Sequence, residues 1–148
     1  PTSEGWISLE SSDPRKSPKF VGNYLSTAKD KKVMISGMYL MRKFLQTKAM
    51  KKIVDEEISP GSNFKDDESF MDFARDEGGT VFHQCGTCRM GTDVSSSVVD
   101  ESLNVHGIQG LRVVDASIFP RITTGNTNAP AIMVGEKAAD IILADRKL

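Results

Sequence analysis

The longest apolar pattern in the chain runs from Val33 to Leu45, and its spacing fits a helix. Two adjoining stripes recur at intervals of three and four: Val33, Gly37, Leu40 and Phe44, and Met34, Met38, Met41 and Leu45. Such spacing places each set on one side of an α-helix. We therefore predict a helix over residues 30–50, with Asp30 as its N-cap and the methionine-rich face in the core.

Shorter patterns predict the elements around this helix. The weak alternation in "GWISLES" and the segment "KFVGNYL" predict two short strands. The acidic opening and double-glycine end of "DDESFMDFARDEGG" predict a short helix. The fold class predicted for this half is α+β, with an antiparallel sheet and the 30–50 helix packed on it.

The C-terminal half is predicted to contribute one strand and one helix. The apolar run in "LRVVDAS" favours a strand near Leu111 to Val114. A helix from about Ala129 has Pro130 in its first turn, where proline is tolerated. One face of this helix carries apolar and small residues: Ile132, Gly135, Ala139 and Ile142.

Composition excludes several classes of partner. The formal net charge is -1, from 19 basic and 20 acidic side chains, so nothing favours binding to nucleic acid. No apolar run approaches the roughly 20 residues of a membrane helix, and no signal peptide is visible. Two cysteines are too few for a disulfide framework, so we expect a reducing, cytoplasmic setting. The chain also begins without Met, so we expect a piece of a longer protein or a processed product.

The segment "FHQCGTCRMG", residues 82–91, permits three interpretations. Cys85 and Cys88 have the spacing of a redox dithiol, although "RMGTDVSSS" follows where such a motif opens a helix. With His83 and His106 they make up a possible zinc set, although their spacing is unusual. A third interpretation takes His83 as a general base, since histidine titrates near neutral pH. A buried structural histidine is the plain alternative for His83, and a turn or surface position for His106.

Three ordered motifs then carry a resemblance to a known family. "FHQCGTCRMG", "VVDESLNVHGIQGLRVVDASIFP" and "TTGNTNAPAIMVGEKAADII" resemble the C-terminal domain of the glucose-methanol-choline (GMC) flavoprotein oxidoreductases. The resemblance covers almost the whole chain and is strongest from Phe82 onward. The chain departs from the family pattern at Thr127, where many members have Pro, at Pro130, where Thr is usual, and at Cys85.

The resemblance implies a set of site residues. His83 matches the catalytic histidine beside the flavin, and Asn126 its active-site partner. Residues matched to the FAD contacts are Asp115, Ala116, Thr127 and Asn128. No metal ligand is implied. Cys88 matches the family cysteine.

The resemblance also implies what the chain does and what it needs. Residues 1–80 correspond mainly to the substrate-domain part, and residues 81–148 to the active-site loop and a strand and helix that complete the FAD-binding domain. The implied activity is FAD-dependent oxidation of a small alcohol, choline or sugar-like substrate to a carbonyl. The Gly-x-Gly-x-x-Gly turn that holds the FAD pyrophosphate is not in the sequence, so the partner is an absent FAD-binding half, and the chain alone is expected to be inactive and not to retain FAD. Without its sheet neighbours the C-terminal part is expected to expose apolar surface or to associate with another copy of the chain. A hydroxynitrile-lyase-like enzyme on the same scaffold, without net redox, and a Cys/His metal-binding module remain as alternatives.

Overall fold

A computed structural model describes residues 1–145 and confirms the α+β class. Within that range the strands are β1 (Trp6–Ser8) and β2 (Lys19–Val21), and the α-helices are α1 (Ala28–Leu45), α2 (Asp67–Asp76) and α3 (Asn128–Asp145). Short 3-10 turns cover Met50–Lys52 and Ala116–Ile118. None of the helices in the described range combines the length and apolar character needed to cross a membrane. The chain divides into two compact units, one from Pro1 to Gly79 and one beginning at Thr80.

The two predicted strands of the first unit are confirmed as an antiparallel pair. Trp6 lies opposite Val21, and Ile7 lies opposite Phe20. All six strand residues are exposed, so the pair has no apolar face buried within its own unit. The ammonium of Lys19 lies 5.7 Å from the centre of the Trp6 ring, a cation–π distance.

Helix α1 begins two residues before its predicted start, and Asp30 is not its N-cap. The Thr27 hydroxyl accepts a hydrogen bond from the Asp30 amide at 3.3 Å and so caps the helix. The Asp30 carboxylate instead accepts hydrogen bonds from the amides of Thr2 and Ser3 at 2.6–2.9 Å. Hydrogen bonding with Ser3, first of all its side chain, and with Thr2 holds the pKa of Asp30 well below its ordinary value.

The prediction that the methionine-rich face of α1 lies in a core on the sheet is wrong. No residue of α1 is buried, and the helix packs against α2, not against the strands. The Tyr39 ring meets the Phe70 ring edge to face, with centroids 4.9 Å apart. Periodicity established the helix but could not identify which element would cover it.

Helix α2 forms as predicted because its N-terminus carries a capping box. The Asp66 carboxylate accepts a hydrogen bond from the Ser69 amide at 2.8 Å, and the Ser69 hydroxyl oxygen accepts one from the Asp66 amide at 3.3 Å. Phe70, Met71 and Ala74 are the buried residues of this helix. Phe70, fully buried, is the centre of the packing between α1 and α2.

The core of the second unit is built mostly from irregular chain. Its buried residues are Val99, Leu103, Ile118, Phe119, Val134 and Ala138. The strand predicted at Leu111–Val114 is wrong: only a bridge between Asn104 and Arg112 forms there. Because the surrounding chain turns repeatedly, pairing stops after one residue, with flanking backbone bonds from Val105 to Leu111 and from Val113 to Leu103.

Helix α3 forms close to its predicted start, but a different face is buried. Val134 and Ala138, four residues apart, enter the core. On the predicted face Ile132, Gly135 and Ala139 are exposed, and Ile142 is half-buried. The helix is apolar on several sides, so its sequence alone did not specify which side docks.

Candidate active site

The loop that carries His83 is tied at both ends within the second unit. On one side, the Thr80 hydroxyl accepts hydrogen bonds from the Phe82 amide at 3.0 Å and from the Gln84 side chain at 2.7 Å. On the other side, the amides of Cys88 and Met90 donate to the carbonyls of Ser117 and Ile118 at 3.0 and 2.8 Å. The 3-10 turn and its neighbours thus hold the loop against the core.

Two backbone conformations bend this loop around the histidine. Phe82 has a φ of 60° and Gly86 a φ of 90°. Glycine adopts such angles freely, whereas the left-handed conformation costs a bulky residue about 1–2 kcal/mol of conformational free energy. Strain of this kind persists where surrounding bonds enforce it, and Thr80 supplies such a bond to the Phe82 amide.

The structure brings His83 to the start of α3, which is 44 residues further along the chain. Nδ1 of His83 and the hydroxyl of Thr127 lie 2.9 Å apart. His83 is half-buried and Thr127 is buried, with 9% of its surface exposed. Because Nδ1 is engaged by Thr127, the other ring nitrogen, Nε2, is the one able to contact an external group. The resemblance named Asn126 as the active-site partner of His83; the bond that the structure describes to the ring is made with the hydroxyl of the next residue, Thr127.

The other predicted site residues lie at two places in the second unit. Asn126 is exposed and directly precedes Thr127, and Asn128 is the exposed first residue of α3. Asp115 caps the 3-10 turn by accepting from the Ser117 amide at 2.7 Å, and Ala116 packs against the core. No bond described within residues 1–145 joins Asp115 or Ala116 to His83. The roles assigned to these four residues stay predictions.

The cysteines do not form a reactive pair in this structure. Both are free thiols and both are half-buried. Cys85 packs against the core, and burial raises the pKa of its thiol, which lowers the thiolate fraction that a redox dithiol needs. Among residues 1–145, no group of three or more His, Cys, Asp or Glu side chains is arranged to hold a metal ion.

His106 has a structural role that the sequence did not indicate. Its Nε2 lies 3.0 Å from the Ser97 hydroxyl and 3.1 Å from the Gly91 carbonyl oxygen. The Ser97 hydroxyl also reaches the Asp93 carbonyl oxygen at 2.6 Å. His106, which lies half-buried in a turn as predicted, therefore ties the 91–97 loop to that turn.

Comparison with known proteins places this arrangement in a family. The profile described as GMC oxidoreductase matches residues 1–135. An oxygen-dependent choline dehydrogenase of Citrobacter koseri is 46% identical over 140 residues, which make up 95% of this chain and 25% of that protein. The chain thus spans about a quarter of the length of the curated relatives it matches.

Solved structures agree with the chain over nearly all of its length. A formate oxidase of Aspergillus oryzae, studied for its FAD modification, is 32% identical and superposes with a TM-score of 0.90. A fungal aryl-alcohol oxidase is 33% identical, with a TM-score of 0.87. Each similarity covers 97% of this chain and about a quarter of the other.

Proposed function

The chain belongs to the GMC oxidoreductase family, and from this premise we propose that it is the part of an FAD-dependent oxidoreductase that supplies the base for oxidising a CH–OH group. The observation that carries the proposal is the fixed imidazole of His83, held through Nδ1 by Thr127. Relatives named as choline dehydrogenases make choline the first alcohol to test.

The residues around α3 fit part of a flavin site. The 18-residue helix begins at Asn128, and Asn126 and Asn128 expose amide groups where helical N–H dipoles converge. The exposed carboxylate of Asp115 is an acceptor suited to a sugar hydroxyl. These residues would hold FAD from one side; the pyrophosphate-binding glycine turn is not among the residues of this chain. We also propose that the 111–114 segment and α3 complete the FAD-binding domain of the whole enzyme.

In this mechanism His83 removes the hydroxyl proton of the alcohol. Nε2 offers its lone pair, the O–H bond breaks, and the proton stays on the ring as an imidazolium. FAD, when bound, supplies the acceptor for the hydride that leaves the carbon. General-base assistance of this kind is worth about 10²- to 10⁴-fold in rate.

Asn126 completes the proposed site as a hydrogen-bond donor. Its side-chain amide has the chemistry to donate to the alcohol oxygen, and its position directly before Thr127 places it next to the histidine's partner in the chain. A donor that strengthens its bond as negative charge develops on the oxygen stabilises the transition state more than the ground state.

The proposal predicts a large kinetic effect from His83→Gln in the whole, FAD-loaded enzyme. Glutamine retains a polar side chain of similar size but cannot act as a base. Reduction of the flavin by choline, followed in single turnover without oxygen, should slow by at least about 100-fold.

The matched control is His106→Gln, which removes the other histidine of the chain. His106 contacts Ser97 and Gly91 and has no described bond to His83, so the rate per flavin-loaded molecule should stay within about twofold of wild type. An undiminished rate in the His83 variant would refute the base assignment. Cleavage of a cyanohydrin without flavin reduction would favour the lyase alternative.

A further inference from the structure

Thr127 is the one residue that the described structure bonds to the imidazole of the proposed base, through a 2.9 Å contact to Nδ1. We propose, on the basis of the function proposed above, that Thr127 is a positioning residue for His83. Its hydroxyl accepts a hydrogen bond from Nδ1–H, and this selects the tautomer in which Nε2 carries a lone pair. Thr127 thereby determines whether His83 is a base before any substrate arrives.

The acceptor role of the Thr127 hydroxyl follows from which nitrogens of the imidazole carry hydrogen before and after the proton transfer. A neutral histidine that takes a proton at Nε2 must begin with its hydrogen on Nδ1. After the transfer both nitrogens carry hydrogen, so Nδ1–H is present before and after. An oxygen that accepts from Nδ1–H therefore keeps its bond throughout the step. If Thr127 donated to Nδ1 instead, Nε2 would carry the hydrogen and could accept no proton.

Both partners of this contact are held by the same core. The Thr127 carbonyl accepts from the Ala131 amide at 2.9 Å, which fixes the residue at the start of α3. The helix is docked through Val134 and Ala138. Threonine is β-branched and has few rotamers, so its hydroxyl direction is restricted once the backbone is fixed.

The loop side is equally constrained. Cys85, two residues after His83, packs on the core, and the Cys88 amide donates a hydrogen bond to the Ser117 carbonyl. A 1 Å displacement of a reacting group can cost about 10²-fold in rate, so a hydroxyl held this firmly has an effect on catalysis without touching substrate. The family resemblance implied a cofactor contact for Thr127; its low exposure and its bond to His83 favour a role inside the protein.

The first test needs no cofactor and uses the 148-residue chain labelled with ¹⁵N at histidine. In the neutral wild-type chain, the imidazole shifts of His83 should show hydrogen mainly on Nδ1. Thr127→Val removes the hydroxyl with little change in shape and should move the tautomer ratio toward Nε2–H by about 3- to 10-fold, the effect of one hydrogen bond. Thr127→Ser, which keeps the hydroxyl, should restore the wild-type ratio.

Several outcomes would overturn the proposal. A wild-type His83 with its hydrogen on Nε2 refutes it whether or not the valine variant folds. An unchanged ratio in a folded Thr127→Val chain refutes it as well. His106 provides the internal reference, since its ring is bonded elsewhere and its shifts should not follow the Thr127 substitutions.

The second test separates this proposal from the function on which it rests. In the whole FAD-loaded enzyme, Thr127→Val should slow flavin reduction by about 10-fold or more, and Thr127→Ser should recover most of the loss. A slow His83→Gln variant beside a fully active Thr127→Val variant would refute only the positioning role. A fully active His83→Gln variant would refute the proposed function itself.

Discussion

At the scale of single residues, Arg42 shows how much structure one side chain can organise. Its guanidinium pairs with both carboxylate oxygens of Glu57, at 2.7–3.0 Å. It also donates to the Gly61 carbonyl at 2.7 Å and to the Phe64 carbonyl, and its central carbon lies 4.5 Å from the centre of the Phe70 ring. The irregular chain over residues 57–64 is therefore held by one residue of α1.

We expect Arg42→Lys to destabilise the first unit by about 2 kcal/mol. Lysine keeps the charge but cannot make the planar, forked contact with Glu57 or stack in the same way on Phe70. The pair is largely sheltered, with side-chain exposures of 20% and 24%, so the lost bonds are not simply replaced by water. Urea unfolding followed by circular dichroism measures the difference.

Arg15→Lys is the matched control. Arg15 also pairs with a carboxylate, that of Asp13, but its side chain is 88% exposed. Exposed pairs contribute little, so its unfolding midpoint should barely move. Equal effects of the two substitutions would contradict the central role of Arg42.

The role of a single side chain could be predicted from sequence only where the residue lies in a recognisable motif. His83 was named as a candidate base because its neighbours match a family motif, and that role stays a prediction. The bond to Thr127 and the cluster around Arg42 could not be predicted, since each joins positions that are far apart in sequence and no local rule relates them. His106 lies in a turn, as predicted, but the two bonds through which its ring supports a loop could not be predicted.

At the scale of elements, helix α3 separates what periodicity can establish from what packing decides. Its existence and start were predicted well. The buried face was not, because apolar residues occur around much of the helix and the core beside Phe119 and Ile118 selects Val134 and Ala138. The strand expected at Leu111–Val114 failed for a related reason: its residues favour extended chain, but only one residue pair forms a bridge.

We expect Ala138→Leu to destabilise the second unit by about 1–3 kcal/mol. Ala138 is only 1% exposed and belongs to the core with Val99 and Ile118, so three added carbon atoms must displace packed neighbours. Thermal unfolding measured by calorimetry tests this. The displacement should also broaden the His83 imidazole signals, because α3 carries Thr127.

The neighbouring substitution Ala139→Leu is the control. It adds the same atoms to the same helix, one residue further along, where the side chain is exposed. Its stability should lie within about 0.5 kcal/mol of wild type. A larger cost at Ala139 than at Ala138 would mean that the face predicted from sequence is the docked one after all.

At the scale of the whole molecule, the chain exposes many large apolar side chains and corresponds to only part of the length of its relatives. The large exposed apolar side chains include Trp6, Phe20, Leu40, Phe44, Ile132 and Met133. Monomeric proteins seldom leave so much apolar surface uncovered. The chain spans about a quarter of the length of the curated relatives it matches. We therefore propose that the remaining part of such an enzyme covers these residues. Association of the chain with itself stays a prediction.

We expect the 148-residue chain to bind FAD weakly or not at all. Its residues can contact a flavin from one side, but the chain has no glycine turn to hold the pyrophosphate. Purified chain should therefore show no visible flavin absorbance, and added FAD should pass through a desalting column without it. FAD recovered in equal amount with the chain would contradict this.

The 44-residue separation of His83 and Thr127 also sets the size of the smallest piece that could be transplanted. A peptide copied from either motif would leave the other partner behind, and both depend on the turn at Ser117 and the core around Phe119. Designers who wish to move this histidine into another scaffold should therefore carry the chain from Thr80 through α3 as one block. Shorter grafts would reproduce the motif sequence without the Thr127 contact that we propose selects the Nδ1–H tautomer of His83.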